Sequence, residues 1–259
     1  MDYQHRTRRS RSIDTEDRLL GGRVRLFQPK TGYRVAIDPV FLASAVRPRG
    51  GERVLDAGCG TGAAALCLAA RTRHEAIVGV ELDPHLSELA RRNAVANGTQ
   101  SSIGIVEASF REFAAEHRGQ FDQVMTNPPF HAAGTHTSSP NSVKAAAHGE
   151  QALDLKGWID ASCDALKAGG KLTLIHRADR LGAILAHFEN RFGAVSIFPL
   201  WPRSGVEANR VIVRATKGRR SLPRLMAGLV LHREDGTYTD DADRVLRDAA
   251  ALDLEQATD

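Results

Sequence analysis

A chain of 259 residues, 42% hydrophobic and 25% charged, can bury a substantial core in one α/β domain with appendages, and its composition is that of an ordinary globular enzyme. No apolar run approaches the roughly 20 residues that span a bilayer, and the Arg-rich start lacks the apolar stretch of an export signal, which argues against a membrane or secreted protein. The net charge is only +4, and three cysteines (Cys59, Cys67, Cys163) without CxxC spacing read as reduced thiols of a cytoplasmic protein.

In chain order, residues 1–17 are polar, with Arg6, Arg8, Arg9 and Arg11 followed by Asp14, Glu16 and Asp17, and read as a mobile arm. Residues 18–50 form an N-terminal lead-in, in which Val24–Phe27 suits a strand. A helix is expected over Pro39–Val46, with Asp38 as its N-cap and proline in the first turn. Residues 51–217 then alternate regularly. Strand-like runs at Arg53–Asp56, Ala76–Glu81, Ile103–Glu107, Phe121–Thr126 and Lys171–His176 are separated by helical stretches after Gly62, after Asp83-Pro84, near Phe110–His117 and over Asp154–Lys167. A helix around Leu181–Asn190 and strands near Ala194–Pro199 and Arg210–Ala215 complete the pattern. Such alternation predicts an α/β fold, a mostly parallel sheet with helices on both faces. The stretch His131–Gln151 has no clean period, and its place directly after Asn127-Pro128-Pro129-Phe130 suggests a substrate-side lid. Residues 218–259 form a C-terminal extension, basic and then acidic, whose last 26 residues carry nine acids against two arginines.

Two segments carry chemistry. Val54-Leu55-Asp56-Ala57-Gly58-Cys59-Gly60-Thr61-Gly62 leads from a strand into an Ala/Leu-rich helix, and its glycines allow a tight turn that a ligand can approach. The glycines also satisfy a dinucleotide fingerprint, so they do not by themselves choose the ligand. Asp56 stands where a carboxylate can meet the cationic amino group of S-adenosylmethionine. Glu81, at the end of the next strand, can take both hydroxyls of a ribose, and would serve NAD equally well. Ser109 and Phe110, after the third strand, offer a backbone N–H and an apolar face to an adenine.

The second segment is Asn127-Pro128-Pro129-Phe130, about seventy residues downstream. An exocyclic amine on a heteroaromatic ring is a poor nucleophile because its lone pair is delocalised. Asn127 supplies a side-chain oxygen and Pro128 a main-chain carbonyl, two acceptors that can hold the amine protons, while the prolines fix both in advance. Phe130 can stack on the base. No metal and no separate general base is required, because the amine becomes acidic once methylated. The pair of segments therefore points to methyl transfer onto a flat nitrogen, most directly adenine.

Charge adds a partner. Residues 18–34 hold Arg18, Arg23, Arg25, Lys30 and Arg34, and residues 214–224 hold Arg214, Lys217, Arg219, Arg220 and Arg224, neither with an acid. Basic stretches flanking a catalytic domain suit RNA, and Arg23, Arg25, Arg219 and Arg220 are the candidate phosphate contacts. A solvated surface is the competing reading of each stretch.

With these residues in view, the chain resembles class I methyltransferases of the small-domain type, and more narrowly the bacterial tRNA adenine-N6 methyltransferases that modify the anticodon loop of valine tRNA. The narrower likeness rests on Leu19-Leu20-Gly21-Gly22-Arg23, on Gln28-Pro29-Lys30 with Gly32-Tyr33-Arg34 and Asp38, and at the other end on Arg210-Val211, Val213, Ala215, Lys217-Gly218 and Leu229-Val230-Leu231-His232. It spans about residues 18–250 and implies a Rossmann-like fold with a mostly parallel seven-stranded sheet. It implies S-adenosylmethionine as cofactor, held by Asp56, Ala57, Gly58, Cys59, Gly60, Gly62, Glu81, Leu82, Ser109, Phe110 and Asn127, with Tyr33, Arg34 and Asp38 closing over it. The acceptor site would be Asn127, Pro128 and Phe130, and the partner RNA, with tRNA first. Two departures stand out: Ser109 and Phe130 occupy positions where that group often has Asp and Tyr. Phe-His after Pro-Pro also occurs in guanine-N2 RNA methyltransferases. That alternative stays open, as do a glutamine-N5 protein methyltransferase, a small-molecule O-methyltransferase, a non-catalytic RNA-binding module and a dehydrogenase.

Overall fold

The computed structural model describes residues 14–32, 34–72, 76–129 and 153–255. The expectations for Tyr33, Phe130, the lid over 131–151 and the first thirteen residues of the arm lie outside them. The rest of the expected arm is structured: Asp14–Leu19 (β1) pairs antiparallel with Val24–Pro29 (β2), from Asp14 opposite Pro29 to Leu19 opposite Val24. Alternating acids hide this strand from a hydrophobicity pattern. Its ladder is completed by side chains, as Glu16 accepts from Arg25 at 3.0 and 3.1 Å and Asp17 from Arg34 at 2.9 Å.

Helix α1 (Asp38–Ala45) follows, and all eight of its residues are buried. Asp38 is not its N-cap: Ile37 holds that position without a side-chain cap, and the Asp38 carboxylate turns away to Arg210. Phe41 and Leu42 are fully buried, each contributing about 1.5–3 kcal/mol.

The sheet then builds as the alternation predicts. Strands β3 (Arg53–Ala57), β4 (Ala76–Glu81), β5 (Ile103–Glu107), β6 (Phe121–Thr126) and β7 (Leu166–Arg177) are parallel, and β8 (Phe192–Trp201) and β9 (Arg210–Lys217) follow. Two-residue strands β10 (Arg224–Leu225) and β11 (Leu229–Val230) lie along β8, so the described sheet has nine strands, seven of them long. The order β10-β8-β9-β7-β6-β3-β4-β5 makes β9 antiparallel to both neighbours. The chain winds outward from β3 to β5, then returns to β6 and winds the other way. The reversal opens a crevice at the carboxyl ends of β3 and β6, where ligands of open α/β sheets bind.

Helices α2 (Ala63–Arg71), α3 (Pro84–Ala96), α4 (Phe110–Glu116), α5 (Leu155–Ala165), α6 (Leu181–Phe188) and α7 (Asp240–Asp248) cover the sheet. One core joins α1, α2, α7 and the β1–β2 hairpin to one face; the other joins α4, α5 and α6 to the opposite face. Local chemistry sets the helix starts. Asp83 accepts from the His85 and Leu86 amides with Pro84 at the first turn, and Asp154 accepts from Gly157. Helix α5 stops at Ala165 rather than Lys167, because Leu166 already pairs with Phe121. Among the described residues no helix is long and apolar enough to cross a membrane.

Candidate active site

Residues Ala57 of β3 and Thr126 of β6 are directly paired, so the glycine turn and Asn127 leave adjacent strands at the same height. The Thr126 hydroxyl donates to the Ala57 carbonyl at 2.9 Å and ties the two strand ends together. On the other side, the amides of Gly58 and Cys59 both donate to the Val80 carbonyl, at 2.9 and 3.0 Å, fixing the turn against β4. Gly58, Gly60 and Gly62 have φ of 68°, 56° and 83°, a left-handed conformation that a side chain disfavours. At Gly58 there is also no room: an added Cβ would lie 2.6 Å from the Trp158 ring.

These elements enclose a pocket of about 440 Å³. Asp56, Gly58, Cys59 and Gly60 form its floor, Glu81 and Leu82 one side, Ser109 and Phe110 the next, and Asn127 and Pro129 the end toward β6. The turn residues Ala57 and Gly62 lie behind this lining, and Pro128 is buried beside it. Asp38 does not border the pocket; its neighbours on α1, Pro39 and Leu42, do. Trp158, Leu153 and Leu86 complete the wall, and sequence alone did not single them out. Trp158 sits on a helix that reads as plain amphipathic packing. Only the approach of its ring to Gly58, and to Phe110 at 5.2 Å between centroids, reveals its place.

The electrostatics of the pocket are distinctive. Asp56 is 2% exposed and receives one hydrogen bond, from the Ala65 amide at 3.1 Å; burial pushes its carboxyl up to about 7. Glu81 is also raised by burial, although its oxygens accept from the Gly60 and Asp83 amides, each at 2.8 Å. Neither carboxylate has a cationic partner among the described residues. Two buried polar atoms on the pocket residues also lack partners: the Asn127 Oδ1 acceptor and the Trp158 Nε1 donor. An orphaned buried group costs about 1–3 kcal/mol, so the pocket is built for a ligand that supplies positive charge and hydrogen bonds. S-adenosylmethionine, with a sulfonium, an ammonium and a ribose, fits that demand. Burial drives the Cys59 thiol well above its ordinary range, which leaves it an inert filler beneath the turn.

The basic candidates are not brought to the pocket. In β9, Arg210 pairs with Arg177 at the carboxyl end of β7, whereas Thr216 pairs with Lys171 at its start. Arg219 and Arg220 therefore lie beyond the amino edge of the sheet, roughly 20 Å from Asn127 at about 3.3 Å per strand residue. Arg25 is engaged by Glu16, and Arg23 donates to the Leu20 and Arg247 carbonyls. In the second basic stretch, Lys217 donates to the carbonyls of Cys163 and Leu166, Arg214 lies 3.8 Å from Glu255, and Arg224 donates to Ser196 and Leu254. Arg23, Arg25, Arg214, Lys217 and Arg224 thus each hold a contact within the chain.

Comparison with known proteins agrees with this geometry. Residues 35–198 match the family model described as methyltransferase small domain. The chain is 32% identical over 216 residues to the tRNA1(Val) (adenine(37)-N6)-methyltransferase of Aeromonas hydrophila, covering 82% of this chain and 87% of that protein. A crystal structure of a predicted O-methyltransferase from Agrobacterium tumefaciens superposes with a TM-score of 0.69 at 28% identity, covering 83% of this chain and 98% of that one. The Thermus thermophilus 16S rRNA N2 G1207 methyltransferase, in complex with AdoMet and guanosine, shares the fold with a TM-score of 0.55 at 21% identity, over 79% of this chain and 50% of that one. The chain belongs to the methyltransferase small domain family and is an S-adenosylmethionine-dependent class I methyltransferase.

Proposed function

We propose that the protein methylates the exocyclic amine of a base in RNA, with adenine N6 in tRNA as the acceptor. The observation that carries this reading is the unpartnered amide oxygen of Asn127, held at the height of the glycine turn. With S-adenosylmethionine bound, the cofactor supplies an electrophilic methyl group. The Asn127 side-chain oxygen and the Pro128 carbonyl would accept hydrogen bonds from the two amine N–H groups and favour a pyramidal nitrogen with its lone pair exposed. The methylated nitrogen, now acidic, then loses one proton to water. The Asn127 Oδ1 is buried although the residue is half-exposed, and Pro128 is buried, which favours a preorganised pair of acceptors. The name of the Aeromonas relative supports tRNA adenine as the target, and a tRNA substrate is in keeping with a cytoplasmic protein.

An O-methyltransferase, as the Agrobacterium relative is titled, needs a group that ionises a hydroxyl. The acceptor end of the described pocket offers Asn127 and Pro129, neither of them a base. The deciding experiment is transfer of tritiated methyl from S-adenosylmethionine to total bacterial tRNA, followed by nucleoside analysis. Labelled N6-methyladenosine is expected. Labelled N2-methylguanosine would keep the mechanism and change the base, and unlabelled RNA despite donor binding would overturn the RNA assignment.

A further inference from the structure

We infer that Arg210 is a positioning residue for the methyl donor: its ion pair with Asp38 fastens the start of α1 to the carboxyl edge of the sheet and thereby sets one wall of the donor pocket. Arg210 opens β9, level with Arg177 of β7 and Leu200 of β8. Its Nε donates to Asp38 Oδ2 at 3.0 Å, across 172 residues of chain. The Asp38 side chain is only 11% exposed, and that of Arg210 32%.

The pair is placed to act on the pocket. Asp38 makes no cap for its own helix, so the pairing with Arg210, rather than local helix chemistry, accounts for its burial. The next residue, Pro39, and Leu42 one turn on both line the pocket. The lead-in before them is anchored at its other end, where Arg34 donates to Asp17 and the Val35 amide donates to the Gln28 side chain at 2.8 Å. Residues 36 and 37 thus run between an anchor on the hairpin and an anchor on β9. The β9 anchor is itself braced, since Asn209 accepts from the Ala178 amide at 3.1 Å and from Arg210 at 3.2 Å. Removing Arg210 takes the guanidinium away from an Asp38 carboxylate that is only 11% exposed, a strong incentive for α1 to shift and carry Pro39 and Leu42 with it. A lysine at 210 keeps the charge but not the directional guanidinium contact.

The inference rests on the donor pocket alone, so it stands or falls independently of the acceptor. The test measures the dissociation constant of S-adenosylhomocysteine by calorimetry, together with melting temperature and steady-state kinetics. The proteins are the full-length chain and its Arg210→Gln, Asp38→Asn and doubly substituted variants, below their melting temperatures. About tenfold weaker binding is expected for each single variant, with donor KM rising more than kcat falls. The double variant should be no worse than the weaker single. Lower melting temperatures with an unchanged dissociation constant would make the pair purely structural and overturn the inference, as would losses that multiply in the double variant. If Arg210→Gln does not fold, Arg210→Lys and Asp38→Glu keep both charges while altering the geometry. Weaker donor binding in either supports the inference, and wild-type binding in both overturns it.

Discussion

The two ends of the sheet treat charge in opposite ways. At the carboxyl end, Asp56 is buried and Glu81 half-buried, both lack cationic partners among the described residues, and desolvation raises both carboxyls. Toward the amino end, arginines and lysines that look like an RNA-binding surface in sequence are mostly spent on carbonyls and carboxylates of the same chain: Arg23, Arg25, Lys217 and Arg224. A charge that the fold has already paired is architecture. A charge that the fold buries without a partner costs stability, and is retained because something else completes it.

The sharpest way to break this contrast is at Asn127. Asn127→Ala should lower kcat by about 100- to 1,000-fold while S-adenosylhomocysteine still binds, as for loss of one preorganised polar group. Methyl-transfer assays paired with calorimetry measure both, and substantial remaining activity would remove Asn127 from the chemistry.

Gly58→Ala tests the pocket floor. The left-handed φ of 68° and the 2.6 Å approach to Trp158 together predict a loss of about 2–4 kcal/mol in denaturant unfolding. Adding Trp158→Leu should recover part of it, because the colliding ring is gone; no recovery would mean the strain lies in the backbone alone.

Asp56 gives the contrast a pH signature. A ligand bringing positive charge prefers the ionised carboxylate, so donor affinity should fall up to tenfold per pH unit below about 7 and level off above it. Stability of the ligand-free protein moves oppositely. The native carboxyl holds its proton where an unfolded Asp has lost it, so this contribution is complete below the ordinary carboxyl range and lost as pH rises to about 7. Calorimetry and melting curves from pH 5 to 8.5 read the two trends, and Asp56→Asn should flatten both.

The smallest effect is expected at the amino edge. Replacing Arg219 and Arg220 with serine should leave donor KM unchanged and shift RNA KM less than about threefold, given their distance from Asn127. A flattened salt dependence of RNA binding would instead return that edge to the substrate path.

Much of this was legible in sequence because it is written locally. Strand and helix periods, the glycine turn and Asn127-Pro128-Pro129 each announce themselves within a few residues. What escaped was written across the chain. Strand β1 is a row of charges whose partners lie on β2 and beyond. Trp158 acquires a role only by meeting Gly58, a hundred residues earlier, and Asp38 looked like a helix cap until Arg210 claimed it. The basic runs hide their internal partners for the same reason, since net charge along a segment says nothing about which carbonyl each cation also serves.

The direct pairing of Ala57 with Thr126 has a consequence for how such enzymes diversify. The separation between the glycine turn and Asn127 is ruled off by the spacing of two neighbouring β-strands, about 4.8 Å, rather than by any loop. Loops that choose the acceptor can lengthen, shrink or change partners while the sheet keeps the measure. A lineage built on this ruler can change those loops without moving its glycine turn relative to Asn127.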